Sequence, residues 1–135
     1  MTQKYQSNPL HRNGDPYKSQ WNQNKISVLK EEQIWKSFFS GTGSQCYGLY
    51  ITRNNKPDYL GFPAKKSPSA LNELFIAKYR SDPSGNDILW HGYPADTTLN
   101  IHDRPPEECL IDWKKKNFIS SAQMSKILKG KKCSL

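Results

Sequence analysis

The chain has 135 residues, enough for one domain of ordinary size, with only 35% apolar side chains and a formal charge of +8. No apolar run approaches the ~18 residues of a membrane-crossing helix, and the start MTQKYQSNPLHRNGD lacks an apolar leader core, so the expected setting is a reducing cytoplasm. The charge is lopsided: residues 1–28 carry +3, residues 29–113 carry −2, and residues 114–135 carry seven lysines and no acid, which points to a polyanionic partner.

Residues 1–24 are mostly Gln, Asn, Ser, Lys and Pro, with Leu10 and Trp21 almost alone as large apolar groups. Such a stretch buries too little surface to offset its ordering entropy and reads as a disordered or loosely docked arm. Helix begins after Ser27, a suitable N-cap, with Glu31 and Glu32 placed to favour the helix dipole. Ile34 with Phe38, and Trp35 with Phe39, form one apolar stripe, and Gly41 and Gly43 end it.

Residues 46–52 are rich in strand formers, 54–58 form a turn, and 59–62 read as the returning strand of a hairpin. Residues 74–80 and 88–93 form a second hairpin around the turn at 82–86. Both faces of 74–80 are apolar, which suits a central strand covered on both sides. After an irregular stretch from Pro94 to His102, a helix opens at Asp103 as cap and runs to Asn117. Ser120 with Gln123 makes a capping box, Ile119 with Met124 a hydrophobic staple, and Gly130 ends this last helix. The expectation is an α+β fold in the order α-β-β-β-β-α-α: a small four-stranded antiparallel sheet, one N-terminal helix and a C-terminal αα-hairpin. It divides into the arm 1–24, one domain over 25–130 and a basic tail at 131–135.

Three groups of residues bear on chemistry. Residues 90–104 concentrate His91, Tyr93, Asp96, His102, Asp103 and Arg104. A metal-independent ribonuclease needs a base for the 2′-hydroxyl, an acid for the leaving oxygen and a cation for the phosphate. His91 and His102 suit the first two roles, Arg104 or Lys78 the third, with Tyr93 beside them. Each also has an ordinary alternative as a packing or capping residue. As metal ligands they lack a specifying spacing, and no cofactor or metal is expected. The three cysteines, Cys46, Cys109 and Cys133, fit neither a disulfide framework nor a zinc pattern, although lysines around Cys133 would favour its thiolate.

The second group is the C-terminal helix pair, whose three-residue connection resembles a helix-turn-helix. It offers phosphate-contacting rather than base-reading side chains: Lys114, Lys115, Lys116, Lys126, Lys129, Lys131 and Lys132. The third is the set of aromatic residues on the strands, which would stack on unpaired bases if exposed and otherwise fill the core. The leading expectation is a protein that binds nucleic acid, RNA or DNA, through phosphate contacts of low sequence specificity. The alternatives are the ribonuclease, toxin-like in size, an inhibitor or immunity protein for an acidic partner, and a structural subunit of a larger assembly. A membrane surface is not expected as partner, since Met124, Ile127 and Leu128 belong to the core side of the last helix.

Overall fold

The computed structural model describes residues 2–39 and 43–135. Among these are seven strands, β1 (Thr2–Tyr5), β2 (Gln20–Trp21), β3 (Gln45–Ile51), β4 (Pro57–Asp58), β5 (Gly61–Phe62), β6 (Ile76–Ser84) and β7 (Asp87–Ala95), and three helices, α1 (Val28–Phe38), α2 (Glu107–Lys115) and α3 (Ser121–Leu128). The main sheet is five-stranded and curled, in the order β1-β7-β6-β3-β4, while β2 and β5 pair separately.

This corrects the four-stranded antiparallel expectation in two ways. First, β1 joins the edge of β7 in parallel, so the sheet is mixed and gains a strand from the polar N-terminal segment. Thr2, Gln3 and Lys4 of β1 are exposed, so the strand shows no apolar alternation in sequence. Its hold is backbone pairing, supplemented by Gln3 Oε1, which accepts the indole N–H of Trp90 at 2.6 Å. Second, the stretch 59–62 is not one returning strand. Pro57 and Asp58 pair with β3, whereas Gly61 and Phe62 turn away to pair with β2. Gly61 permits this because a Cβ there would meet the Gln20 carbonyl and the Pro94 ring, each at 2.5 Å.

The long hairpin of β6 and β7 extends to Ser84 and Asp87, and Gly85 takes its positive φ of 61° at the turn. β6 is the middle strand of the five. One side of the sheet carries Cys46, Ala77, Tyr79 and Trp90, packed under Ile34 and Trp35 of α1 and under Trp21, Ile26 and Leu60. On the other side Tyr47, Leu49, Ile76 and Ala95 pack against Leu110 and Trp113 of α2 and Ile127 of α3. That second layer covers only one end of its face. Alternation continues the same face through Arg80, Asp82, Leu89 and His91, and of these Arg80, Asp82 and His91 face residues 6–9 and 11 across a groove rather than α2 or α3.

Helix termini follow local chemistry. Ser27 Oγ accepts from Lys30 N–H, and Ser120 with Gln123 forms the complete capping box. Asn117 adopts the left-handed conformation (φ 64°) between α2 and α3. Gly41, expected to end α1, lies outside the described residues. Asp103 does not cap α2, which starts four residues later after Pro106. Its carboxylate is buried instead, accepting from Tyr93 Oη at 2.7 Å and from the Asp96 N–H at 3.1 Å. No helix among the described residues is long and apolar enough to cross a membrane.

Candidate functional site

The sequence pairs His91 with His102, but the two line different clefts. His102 sits on a 3₁₀ turn, Ile101–Asp103, at the mouth of a cleft of about 640 Å³ shared with Tyr47, Arg104, Cys109 and Asp112. The fixed part of His102 is its backbone carbonyl, which accepts from Lys78 Nζ and, at 3.4 Å, from Tyr47 Oη. Lys78 is buried, and desolvation pushes its pKa below the usual lysine value. It is thus a tether for the turn and not a free phosphate cation. Arg104 donates from Nε to Thr97 O at 3.0 Å, and its guanidinium lies against Gly130, joining the loop to the end of α3. Asp96 is likewise engaged within its loop, accepting from Thr98 N–H and Oγ1.

His91 instead meets residues from the N-terminal segment. A groove of about 510 Å³ is walled by Gln6, Ser7, Asn8, Pro9 and His11 on one side and by Arg80, Asp82, His91 and Tyr93 of the open sheet face on the other. Arg80 and His91 are register partners on β6 and β7. Tyr93, two residues along β7, stacks its ring on His11 at 5.2 Å and 17°. Both imidazoles are fixed from behind: His11 Nδ1 lies 2.8 Å from Ser19 O, and His91 Nδ1 lies 3.0 Å from Gln6 O. Burial holds the His11 pKa below the ordinary histidine value, partly countered by the Ser19 carbonyl. Burial also raises the Tyr93 phenol, and its hydrogen bond to Asp103 adds to this. His11 carried no signal in the sequence because its nearest partners, Ser19 and Tyr93, are 8 and 82 residues away.

The seven C-terminal lysines are all exposed. Lys116 pairs with Asp112 at 2.9 Å, and among the described residues the other six form no ion pair. Lys114 to Lys116 fan around the end of α2, while Lys126 and Lys129, three apart, neighbour one another on the side of α3 opposite buried Ile127. The strand aromatics divide: Tyr79 and Trp90 are fully buried and Tyr47 nearly so, Tyr50, Tyr59, Phe75 and Tyr93 are half-buried, and Phe62 is exposed. The cysteines are free thiols, and burial pushes Cys46 and Cys109 up to about 12. Cys133 also goes up, because its burial outweighs the pull of Lys126, so the expected thiolate is disfavoured. Among the described residues no group of three or more His, Cys, Asp or Glu is placed to hold a metal ion. In comparison with known proteins, the chain matches no family model, no curated protein and no solved structure.

Proposed function

We propose that the protein binds nucleic acid through phosphate contacts made by the lysines of α2, α3 and the segment that follows. The observation that carries this reading is the exposure of all seven lysines within residues 114–132, which among the described residues have one carboxylate partner, Asp112. Two clusters lie at helix C-termini, where the macrodipole alone favours cations by about 0.3–1 kcal/mol each. Dipole complementation accounts for one or two lysines per helix. It does not account for Lys131 and Lys132, which lie beyond α3 and remain exposed.

Lysine offers a mobile point charge and no planar fork, so sequence preference is slight. Binding should weaken steeply with salt, log affinity falling by about 0.7–0.9 per phosphate contacted for each decade of salt. Fluorescence anisotropy with labelled RNA and DNA between low and physiological salt measures this slope. Reversing Lys126, Lys129, Lys131 and Lys132 to glutamate should flatten the slope and weaken binding at least tenfold. A salt-independent affinity would overturn the reading, and a tight protein complex that survives high salt would replace it with the acidic-partner alternative.

A further inference from the structure

The open half of the sheet face has a composition unlike the covered half. Where α2 and α3 pack, the face is apolar: Leu49, Ile76 and Ala95. Beyond their reach the face carries Arg80, Asp82, Leu89 and His91, with Tyr93 at the border still packed against the apolar cluster, and residues 6–9 and 11 stand beside it as a wall. A sheet face left polar, grooved and walled is a surface shaped for a ligand.

The two histidines here share an arrangement. A carbonyl oxygen only accepts, so the bonds to Ser19 O and Gln6 O require the proton on Nδ1 of each ring. Nε2 is then the exchanging atom in both. A pair of imidazoles with fixed tautomers at one groove is the equipment for moving two protons. Arg80 faces the same groove, is exposed, and forms no ion pair among the described residues, so its guanidinium is available to an anion. Tyr93 gives its hydroxyl to Asp103 and its ring to His11, which makes it a positioning residue. Ser7, the hydroxyl in the wall, donates to buried Glu31 at 2.9 Å. With that hydroxyl occupied, Ser7 is no free nucleophile, and an attacking oxygen carried by the substrate itself suits a pair of proton carriers.

We propose that this groove cleaves single-stranded RNA by transesterification, with His11 as base, His91 as acid and Arg80 on the phosphate. The 2′-hydroxyl loses its proton to His11 Nε2 as the 2′-oxygen forms its bond to phosphorus. The bond from phosphorus to the 5′-oxygen breaks, and that oxygen takes a proton from His91 Nε2. The products are a 2′,3′-cyclic phosphate and a 5′-hydroxyl, and exchange with water resets both rings. Negative charge gathering on the non-bridging oxygens is met by Arg80. The assignment of base to His11 accords with its half-buried ring, which stays neutral more readily than an open one. This activity shares its polymer with the lysine surface but uses none of the lysines.

The test uses the full chain in EDTA with an oligodeoxynucleotide carrying one ribonucleotide, followed by mass spectrometry of the products at pH 5 to 8. Cleavage should occur only after the ribonucleotide and leave a cyclic phosphate, while the all-deoxy strand stays intact. His91→Gln and His11→Gln should each lower kcat about 100-fold or more. Arg80→Ala, an exposed change that leaves the core untouched, should do the same with an unaltered melting temperature. Wild type that leaves the ribonucleotide whole across this range overturns the proposal, as does an Arg80→Ala or His91→Gln protein of undiminished rate. Salt-dependent binding without cleavage would remove the groove and keep the lysine surface; cleavage with a salt-independent affinity would do the reverse.

Discussion

Glu31 is the residue on which the N-terminal half turns. Its place in the first turn of α1 suggests a solvated acid favouring the helix dipole, yet its side chain is fully buried. Arg12 Nε, Tyr5 Oη and Ser7 Oγ all donate to its carboxylate, and a second Arg12 nitrogen reaches Ile26 O at 2.7 Å. Tyr79 Oη donates to the Glu31 carbonyl at 3.0 Å. Removing one member of a buried pair strands the other charge, so Glu31→Ala should cost about 3–5 kcal/mol, read as a lower urea midpoint. An unchanged midpoint would show that Arg12 finds water instead. His11 adds a pH term of determinate sign. Desolvation lowers its pKa, outweighing the Ser19 carbonyl; Lys18 adds to the lowering while Asp103 and Asp15 oppose it, so the folded value lies below the unfolded one of about 6.5. The folded state therefore binds fewer protons, and the contribution is complete above that value and lost as pH falls through the folded pKa. Urea titrations at pH 7.5 and pH 5.5 should show less acid loss in His11→Gln than in wild type. An equal loss would place the acid sensitivity elsewhere.

At the scale of elements, local pattern and tertiary pairing divide what the sequence discloses. The helices carry their own signals: Ser27 and Ser120 as caps, Asn117 and Gly130 as left-handed stops, and Leu110 with Trp113 as a stripe. The β6–β7 hairpin is similarly explicit through strand formers around Gly85. β1, β2, β4 and β5 are two to four residues long, too short for periodicity; β1, β2 and β5 are defined by partners distant in sequence, whereas β4 pairs with the neighbouring β3. Close packing between β6 and β7 supplies a direct check. Gly92 is buried opposite Tyr79, and a Cβ there would overlap the Tyr79 ring. Tyr79 is fully buried and its hydroxyl is held by α1, so the ring cannot swing aside freely. Gly92→Ala should destabilise by about 1–3 kcal/mol, with a weakened near-ultraviolet aromatic signal. A melting temperature equal to wild type would mean that the two strands yield.

For the whole molecule, the N-terminal segment does more than extend a sheet. Composition argues that residues 1–24 lack the apolar surface to order themselves. What composition omits is the surface supplied by the rest of the chain. Tyr5 packs on Trp35 and Tyr79, Trp21 enters the first core, and Arg12 neutralises Glu31. The candidate groove was hidden for the same reason: its sheet half was visible as His91 and Tyr93, while its wall belonged to a stretch that reads as disordered. Removing residues 1–12 brings these dependencies together. It strips β1 from the edge of β7, strands the Glu31 carboxylate, and takes the Gln3 acceptor from the Trp90 indole. The Glu31 pair alone is worth about 3–5 kcal/mol when broken, against a total stability of about 5–15 kcal/mol for a domain. The truncated chain should therefore lose most of its folding cooperativity, seen as a broad urea transition and poorly dispersed amide resonances. A sharp transition within about 1 kcal/mol of the full chain would show that α1 and the β3–β6–β7 sheet hold without the segment. The groove would then be an accessory wall on a self-sufficient sheet, and the docking of residues 1–12 would be free to answer to a ligand.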